Sequence, residues 1–148
     1  ALAALAGFVT EDMDRLASRF RLSNADRKRM QAALRAAEGL KSMPLEFSKE
    51  GLSRFLFRHG RQAAVDGLLL VWAYAGRGAQ TDGYRTFLSA LRSKEIPRFP
   101  LKGRDLLAAG IPAGPKLGEV LEKMETRWLD SGCSLSAQEL LAGVSTEE

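Results

Sequence analysis

The sequence predicts an all-α protein, an irregular helical bundle with a smaller C-terminal helical hairpin lobe. Three observations carry that prediction. Apolar residues recur at three- and four-residue spacing, and no segment alternates with period two. Alanine and leucine are abundant while aromatics make up 7% of the chain, a composition that favours helix. Capping and breaking residues fall where helices of ordinary length should start and stop.

Each element has its own signal. A first helix is expected after Thr10, with Met13, Leu16, Ala17 and Phe20 on one face. Ser23 reads as the N-cap of the next, paired with Asp26 in a capping-box-like arrangement. That helix should run to Glu38 and stop at Gly39, a residue suited to a left-handed C-terminus. "KSMPLEF" (41–47) reads as a loop, because Pro44 biases Met43 away from helix. Ser48 precedes a helix expected to end at His59-Gly60. Residues 61–75 form the most apolar helix, with Val65, Leu68, Leu69, Val71 and Trp72, and should be central. "GRGAQTDG" (76–83) is a connection; Thr81 or Asp82 should cap a helix through Arg92. Pro97 and Pro100 then break the pattern. A short helix at about 103–109, a turn, and a helix from Pro115 to about Ser131 follow. Leu117, Val120, Leu121, Met124 and Trp128 share one face of the latter, and Gly132 ends it. Ser136-x-x-Glu139 is a capping box for a final short helix.

The 148 residues suit one compact domain or two small lobes. The proline break divides them into a body over 1–95, opening partway into a helix, and a tail lobe over 96–148. A 45% hydrophobic content supports a core without disulfides or metals. Cys133 has no partner for an internal disulfide, which fits a reducing compartment without proving one; a cytoplasmic location is expected. The longest apolar run, "GLLLVWAYAG" (67–76), is too short to span a bilayer. The first residues lack a signal peptide's charged start and cleavage site.

The net charge is +4, and its distribution is uneven. Arg15, Arg19, Arg21, Arg27, Lys28, Arg29 and Arg35 occur with Asp26 the lone acid between them. Arg92, Lys94, Arg98, Lys102 and Arg104 make a second basic stretch. Glu119, Glu122, Glu125, Asp130, Glu139, Glu147 and Glu148 make the C-terminal part acidic. Such asymmetry orients a polyanion toward one side of a molecule. The bland alternative is that the arginines solvate exposed helix faces.

"DLLAAGIPAGPKLGEVL" (105–121) concentrates backbone punctuation. Gly110 should end one helix, with Gly114 at the cap and Pro115 at the first position of the next, where its missing N–H costs nothing. Free amides at that helix start would let an anion approach beside a residue without a side chain. Lys116, Lys102 and Arg104 would add charge. Gly118 is expected to let another helix or backbone pack tightly on the first turn. The stretch resembles a helix-hairpin-helix, a module that grips nucleic-acid phosphate. A plain αα-hairpin whose glycines only reverse the chain is the alternative.

Three stretches together resemble one family. "ASRFRLSNADRKRM" (17–30) looks like the arginine-rich Leu-Ser-Asn junction in the helical body of bacterial tRNA nucleotidyltransferases, the CCA-adding enzymes of the poly(A) polymerase superfamily. "AAVDGLLLVWA" (63–73) is similar to the apolar body helix that follows. "FPLKGRDLLAAGIPAGPKLGEVLEKMETRWLDSG" (99–132) resembles the family's C-terminal segment, with Pro-Leu, Gly-x-Asp-Leu, Gly-Ile-Pro, Gly-Pro and Leu-Gly in order. The resemblance implies a helical body and tail without the catalytic head, hence a piece inactive by itself. In the family, that head carries two strand-borne carboxylates that hold divalent metal for nucleotidyl transfer. It implies magnesium with CTP and ATP for the parent, no cofactor or metal held here, and tRNA as the partner through its acceptor and T-arm region. The missing head of the same protein is a second partner; no membrane is implied.

No catalytic residue is expected in the chain. Asp12-Met13-Asp14 imitates a metal-binding pair but sits at a helix start, where acids complement the macrodipole. Glu11-Asp12-x-x-Arg15 has the spelling of the family's nucleotide-selecting template, yet Leu16-Ala17-Ser18-Arg19-Phe20 departs from the helix that should follow. His59 is expected at a helix end that suits an imidazolium. Trp72 and Trp128 read as core rather than stacking platforms; Tyr74, Tyr84 and Phe99 are less determined. The residues expected to contact an RNA backbone are Arg27, Lys28, Arg29, Lys102, Arg104, Gly114 and Lys116. A helical DNA-binding module and a helical protein-interaction scaffold are the alternatives.

Overall fold

A computed structural model describes residues 15, 18–41, 48–76 and 81–143. Most of the first expected helix, both carboxylate motifs at 11–14, the loop at 42–47 and part of the connection after Gly76 lie outside these residues. Among the described residues six helices are defined: α1 (Asn24–Lys41), α2 (Lys49–Ala75), α3 (Thr81–Ser93), α4 (Gly103–Ala108), α5 (Pro115–Asp130) and α6 (Ala137–Ala142). No strand is present among them. The protein is all-α.

The chain divides into two compact units. One comprises 1–48 and 55–96; the other comprises 49–54 and 97–148. The first rests on a close helix crossing. A methyl group placed on Gly67 of α2 would lie 2.7 Å from the Ala37 backbone nitrogen and 2.8 Å from the Ala36 Cβ. Glycine facing Ala33, Ala36 and Ala37 lets the two backbones approach, and all three alanines are buried. Leu34 and Leu70 complete that cluster, with Met30 and Val71 at its edge. The other side of α2 takes α3: Phe55 meets Phe87 with ring centroids 6.5 Å apart, and Trp72 stacks on Tyr84 at 5.4 Å.

Local chemistry explains the helix ends. The Ser23 hydroxyl oxygen accepts the Asp26 amide at 3.1 Å and donates to its carboxylate at 2.6 Å, capping α1 as expected. α1 does not stop at Gly39, however, but continues to Lys41. Gly39 serves packing: a methyl there would meet His59 Nε2 at 3.3 Å and Phe55 at 3.5 Å. Thr81 and Asp82 lie in the first turn of α3 rather than at its cap. Gly60 breaks α2 as the sequence predicts, with φ 72° and ψ 162° between two helical stretches. Arg61, directly after that break, holds the end of α3. Its guanidinium donates to the carbonyls of Leu91 (2.7 Å), Lys94 (2.8 Å) and Arg92, groups that a helix end leaves without partners.

The second unit is built on Trp128. This side chain is 2% exposed, and Phe99 meets it edge-on at 5.5 Å. Leu52, Leu101, Leu106, Met124, Leu129 and Leu140 are buried in the same unit. The end of α5 is closed by two successive left-handed residues, Gly132 at φ 74° and Cys133 at φ 64°. The Cys133 amide returns to the Trp128 carbonyl at 2.9 Å. Gly132 is required there, since a methyl would lie 2.5 Å from the Glu50 side chain. Ser136 and Glu139 form the expected reciprocal box at the start of α6.

Some expectations about side chains fail. Phe20 is 56% exposed, and Leu69 is exposed on α2. A helix whose apolar residues run all round has more of them than one core can take, and Leu69 falls on the outer side. Trp72 is half-buried rather than core. His59 lies at the helix end before Gly60, as expected, but its surroundings disfavour the imidazolium. Its ring packs on Phe55 at 4.7 Å, and burial, then the charge of Arg58, lowers its pKa from the ordinary 6.5.

Candidate nucleic-acid interface

Four of the seven residues expected to meet phosphate lie in the second unit, and the sequence shapes their surroundings directly. Pro100 and Leu101 lead into Lys102, the N-cap of α4, whose backbone is extended at φ −129° and ψ 161°. The Asp105 carboxylate accepts the Lys102 amide at 2.7 Å, while the Asp105 amide donates to the Lys102 carbonyl at 2.9 Å. A lysine side chain has no acceptor to complete a capping box, so its ammonium is not drawn into the cap and stays exposed. Arg104 is exposed as well, with Asp105 at 3.7 Å, a separation that contributes little in water.

α4 ends at Gly110, whose φ is 91°. The Ile111 amide reaches back to the Leu106 carbonyl at 3.1 Å, and the chain turns. Gly114 then takes φ 142° and ψ −169° as the N-cap of α5, a conformation almost confined to glycine. Pro115 follows at the first helical position. No side chain caps α5; the Leu117 amide bonds to the Gly114 carbonyl at 3.1 Å. Residues 112–116 are all exposed. The start of α5 therefore faces water uncapped by any side chain.

One close approach brings the cations together. A methyl on Gly103 would lie 3.3 Å from Leu117 Cδ2, so the first residue of α4 sits against the first turn of α5. Lys102 and Arg104 flank the one, and Lys116 flanks the other. Gly118 does not take part in packing as expected: nothing lies within 4 Å of a methyl placed on it. Further along, Glu119, Glu122, Lys123, Thr126, Arg127 and Asp130 line a concave stretch of α5 with both signs of charge. Lys102, Arg104 and Lys116 thus stand at the α4–α5 turn with Asp105 as the acid beside the first two.

The other three candidates lie at the start of α1 in the first unit, and the structure distinguishes them. Lys28 is exposed, while Arg27 is half-buried. Arg29 is engaged by Asp66 of α2, donating from Nε at 2.7 Å and from an Nη at 3.1 Å. Gln62 adds a third bond to Asp66 at 3.0 Å. The Arg29 hydrogen bonds hold the Asp66 carboxyl below its ordinary range, against the opposing effect of burial. The same bonds raise the Arg29 pKa. Sequence reasoning missed this pair, although Asp66 is an acid inside the apolar run 63–73, which is a readable signal. It also missed Arg61, whose role depends on a helix end thirty residues away.

Among the described residues, no group of three or more His, Cys, Asp or Glu side chains is placed to hold a metal ion. No helix among them is long and apolar enough to cross a membrane.

A family model described as tRNA nucleotidyltransferase domain 2 matches residues 1–144. The chain belongs to this family. Over 63 residues, 43% of its length, the chain is 36% identical to the CCA tRNA nucleotidyltransferase 1, mitochondrial, of Danio rerio. The Homo sapiens protein of that name is 32% identical over 60 residues, or 40% of the chain. These stretches make up 15% and 14% of the two relatives, so the chain spans a small part of their length. Family membership accords with the resemblance read from residues 17–30, 63–73 and 99–132.

Proposed function

We propose that this chain is the RNA-binding body and tail of a CCA-adding tRNA nucleotidyltransferase. It holds the acceptor and T-arm region of tRNA while a catalytic head elsewhere in the same protein adds nucleotides to the 3′ end. Chemistry, with magnesium, CTP and ATP, belongs to that head. The observation that supports the reading is the α4–α5 turn, where Gly103, flanked by exposed Lys102 and Arg104, packs on Leu117, and exposed Lys116 adjoins the uncapped helix start at Gly114–Pro115. Lysine and arginine bind phosphate irrespective of sequence, and A-form RNA is recognised through backbone and shape. Lys28 and the outer edge of Arg29, with Arg27 beside them, form a second binding region in the first unit. The reducing, cytoplasmic setting is part of the same proposal and rests on a single cysteine; the relatives carry the word mitochondrial in their names.

The test is binding of a tRNA minihelix to the 148-residue chain, followed by fluorescence anisotropy across a salt series. Removing one cation from a phosphate flattens the slope of log K against log salt by roughly 0.7–0.9. The Lys102→Gln/Lys116→Gln pair should therefore flatten it by about 1.4–1.8 and weaken binding at low salt. An unchanged slope removes these residues from the interface. Equal or tighter binding to a DNA duplex of the same length favours the DNA-module reading instead.

A further inference from the structure

Arg98 is an exposed cation of the second unit that the proposed interface leaves unused. The segment around it is held in a particular way. Pro97 and Pro100 fix their own φ near that of polyproline II, and each pushes the residue before it into extended backbone. Lys102 is extended too. Burial alternates along the run. Arg98, Pro100 and Lys102 are exposed, Leu101 is buried, and half-buried Phe99 packs edge-on against Trp128. The inward residues anchor the chain to the unit's core, and the outward ones form a rim. At polyproline II spacing, Arg98 and Lys102 lie roughly 12 Å apart, with Arg104 and Lys116 beyond Lys102. No acid is interposed on the rim, and Asp105 is occupied by the Lys102 amide.

We infer that residues 98–104 form a ledge on which Arg98, Lys102 and Arg104 follow one RNA strand, meeting neighbouring phosphates in sequence. The inference deepens the RNA-binding reading and rests on it. The extended part, 98–102, suits this task, and Arg104 continues it from the first turn of α4. Arg98 and Lys102 are spaced along a line by the backbone rather than gathered about a point, and the Phe99 and Leu101 anchors keep the line fixed. Ordering a loop on binding would cost conformational entropy that this segment has already given up in folding.

The test uses the 148-residue chain and the same minihelix. Arg98→Gln should flatten the salt slope by roughly 0.7–0.9, and Arg98→Lys should restore it. Phosphate-ethylation interference should give a run of adjacent positions on one strand for the wild type, shortened at one end for Arg98→Gln. Circular dichroism and the melting midpoint should match the wild type, because Arg98 is exposed. A normal slope for Arg98→Gln, with a flattened one for the Lys102→Gln/Lys116→Gln pair, overturns the ledge and keeps the RNA-binding reading. Interference scattered over both strands also overturns the ledge. No minihelix binding by the wild type removes both.

Discussion

The sharpest stability prediction compares the same substitution at two helical glycines. A methyl on Gly67 would sit 2.7 Å from the Ala37 backbone nitrogen, 2.8 Å from the Ala36 Cβ and 3.0 Å from the Ala33 carbonyl oxygen. Two of those atoms are backbone of α1, so no rotamer change relieves the clash, and the helices must move apart. Overpacking of this kind costs about 1–3 kcal/mol, and the immovable neighbours place Gly67→Ala at the upper end. Against that, alanine is a better helix former than glycine by about 1 kcal/mol. The net expectation is a destabilisation of about 2 kcal/mol, or about 4–8 °C in melting midpoint for a chain of this size. Gly118→Ala has the propensity gain and no collision, since nothing lies within 4 Å; it should stabilise by up to about 1 kcal/mol. Urea denaturation followed by far-UV circular dichroism should move the two midpoints in opposite directions. A Gly67→Ala chain as stable as the wild type would show that α1 and α2 do not cross as closely as described.

Three further outcomes are expected. Trp128→Ala should cost about 3–5 kcal/mol in chemical denaturation, because it removes the buried side chain on which the second unit is built. Gly114→Ala should cost about 1–3 kcal/mol, since φ 142° with ψ −169° strains any side-chain-bearing residue; thermal melts of the variant and the wild type would measure it. His59 has a folded pKa below the ordinary 6.5, so its neutral form is the one folding prefers. Its contribution is complete above 6.5 and is lost as pH falls through the depressed value. A pH series of urea melts should therefore be flatter for His59→Gln below pH 6.5 than for the wild type.

Local signals were the legible part. Ser23 with Asp26, Ser136 with Glu139, the break at Gly60 and the Gly114-Pro115 helix start all lie within four residues of their causes. The apolar face of α5 was legible for the same reason, since Met124 and Trp128 declare it by spacing alone. What the sequence misassigned depended on distant partners. Gly39 has a C-cap's spelling, but the side chains of Phe55 and His59 crowd it, and the helix runs on. Gly118 looked like a packing glycine and faces open space, while Gly67, inside an apolar run, is the one that lets helices meet. The α4–α5 turn was legible as a turn. That Gly103 rests on Leu117, and so gathers Lys102, Arg104 and Lys116, was not, because it depends on how the reversed chain closes.

The basic residues show why net charge is a poor guide to an interface. Arg61 is used by the carbonyls at the end of α3 and Arg29 by Asp66. Each stabilises the fold by bridging elements distant in sequence, a task for which the forked guanidinium is better shaped than an ammonium. Lys28, Arg98, Lys102 and Lys116 are exposed, as is the part of Arg29 beyond its pair with Asp66. An interface made largely of such residues is set by position, not by the amount of charge. It follows that Arg61→Ala and Lys102→Gln, each removing one positive charge, should separate cleanly. The first leaves three carbonyls of Leu91, Arg92 and Lys94 without their donor and should cost roughly 2 kcal/mol of stability. It should keep the salt slope of minihelix binding under conditions where the chain remains folded. The second should keep stability and flatten that slope. If both changed stability and binding alike, the division between structural and RNA-facing cations would not hold.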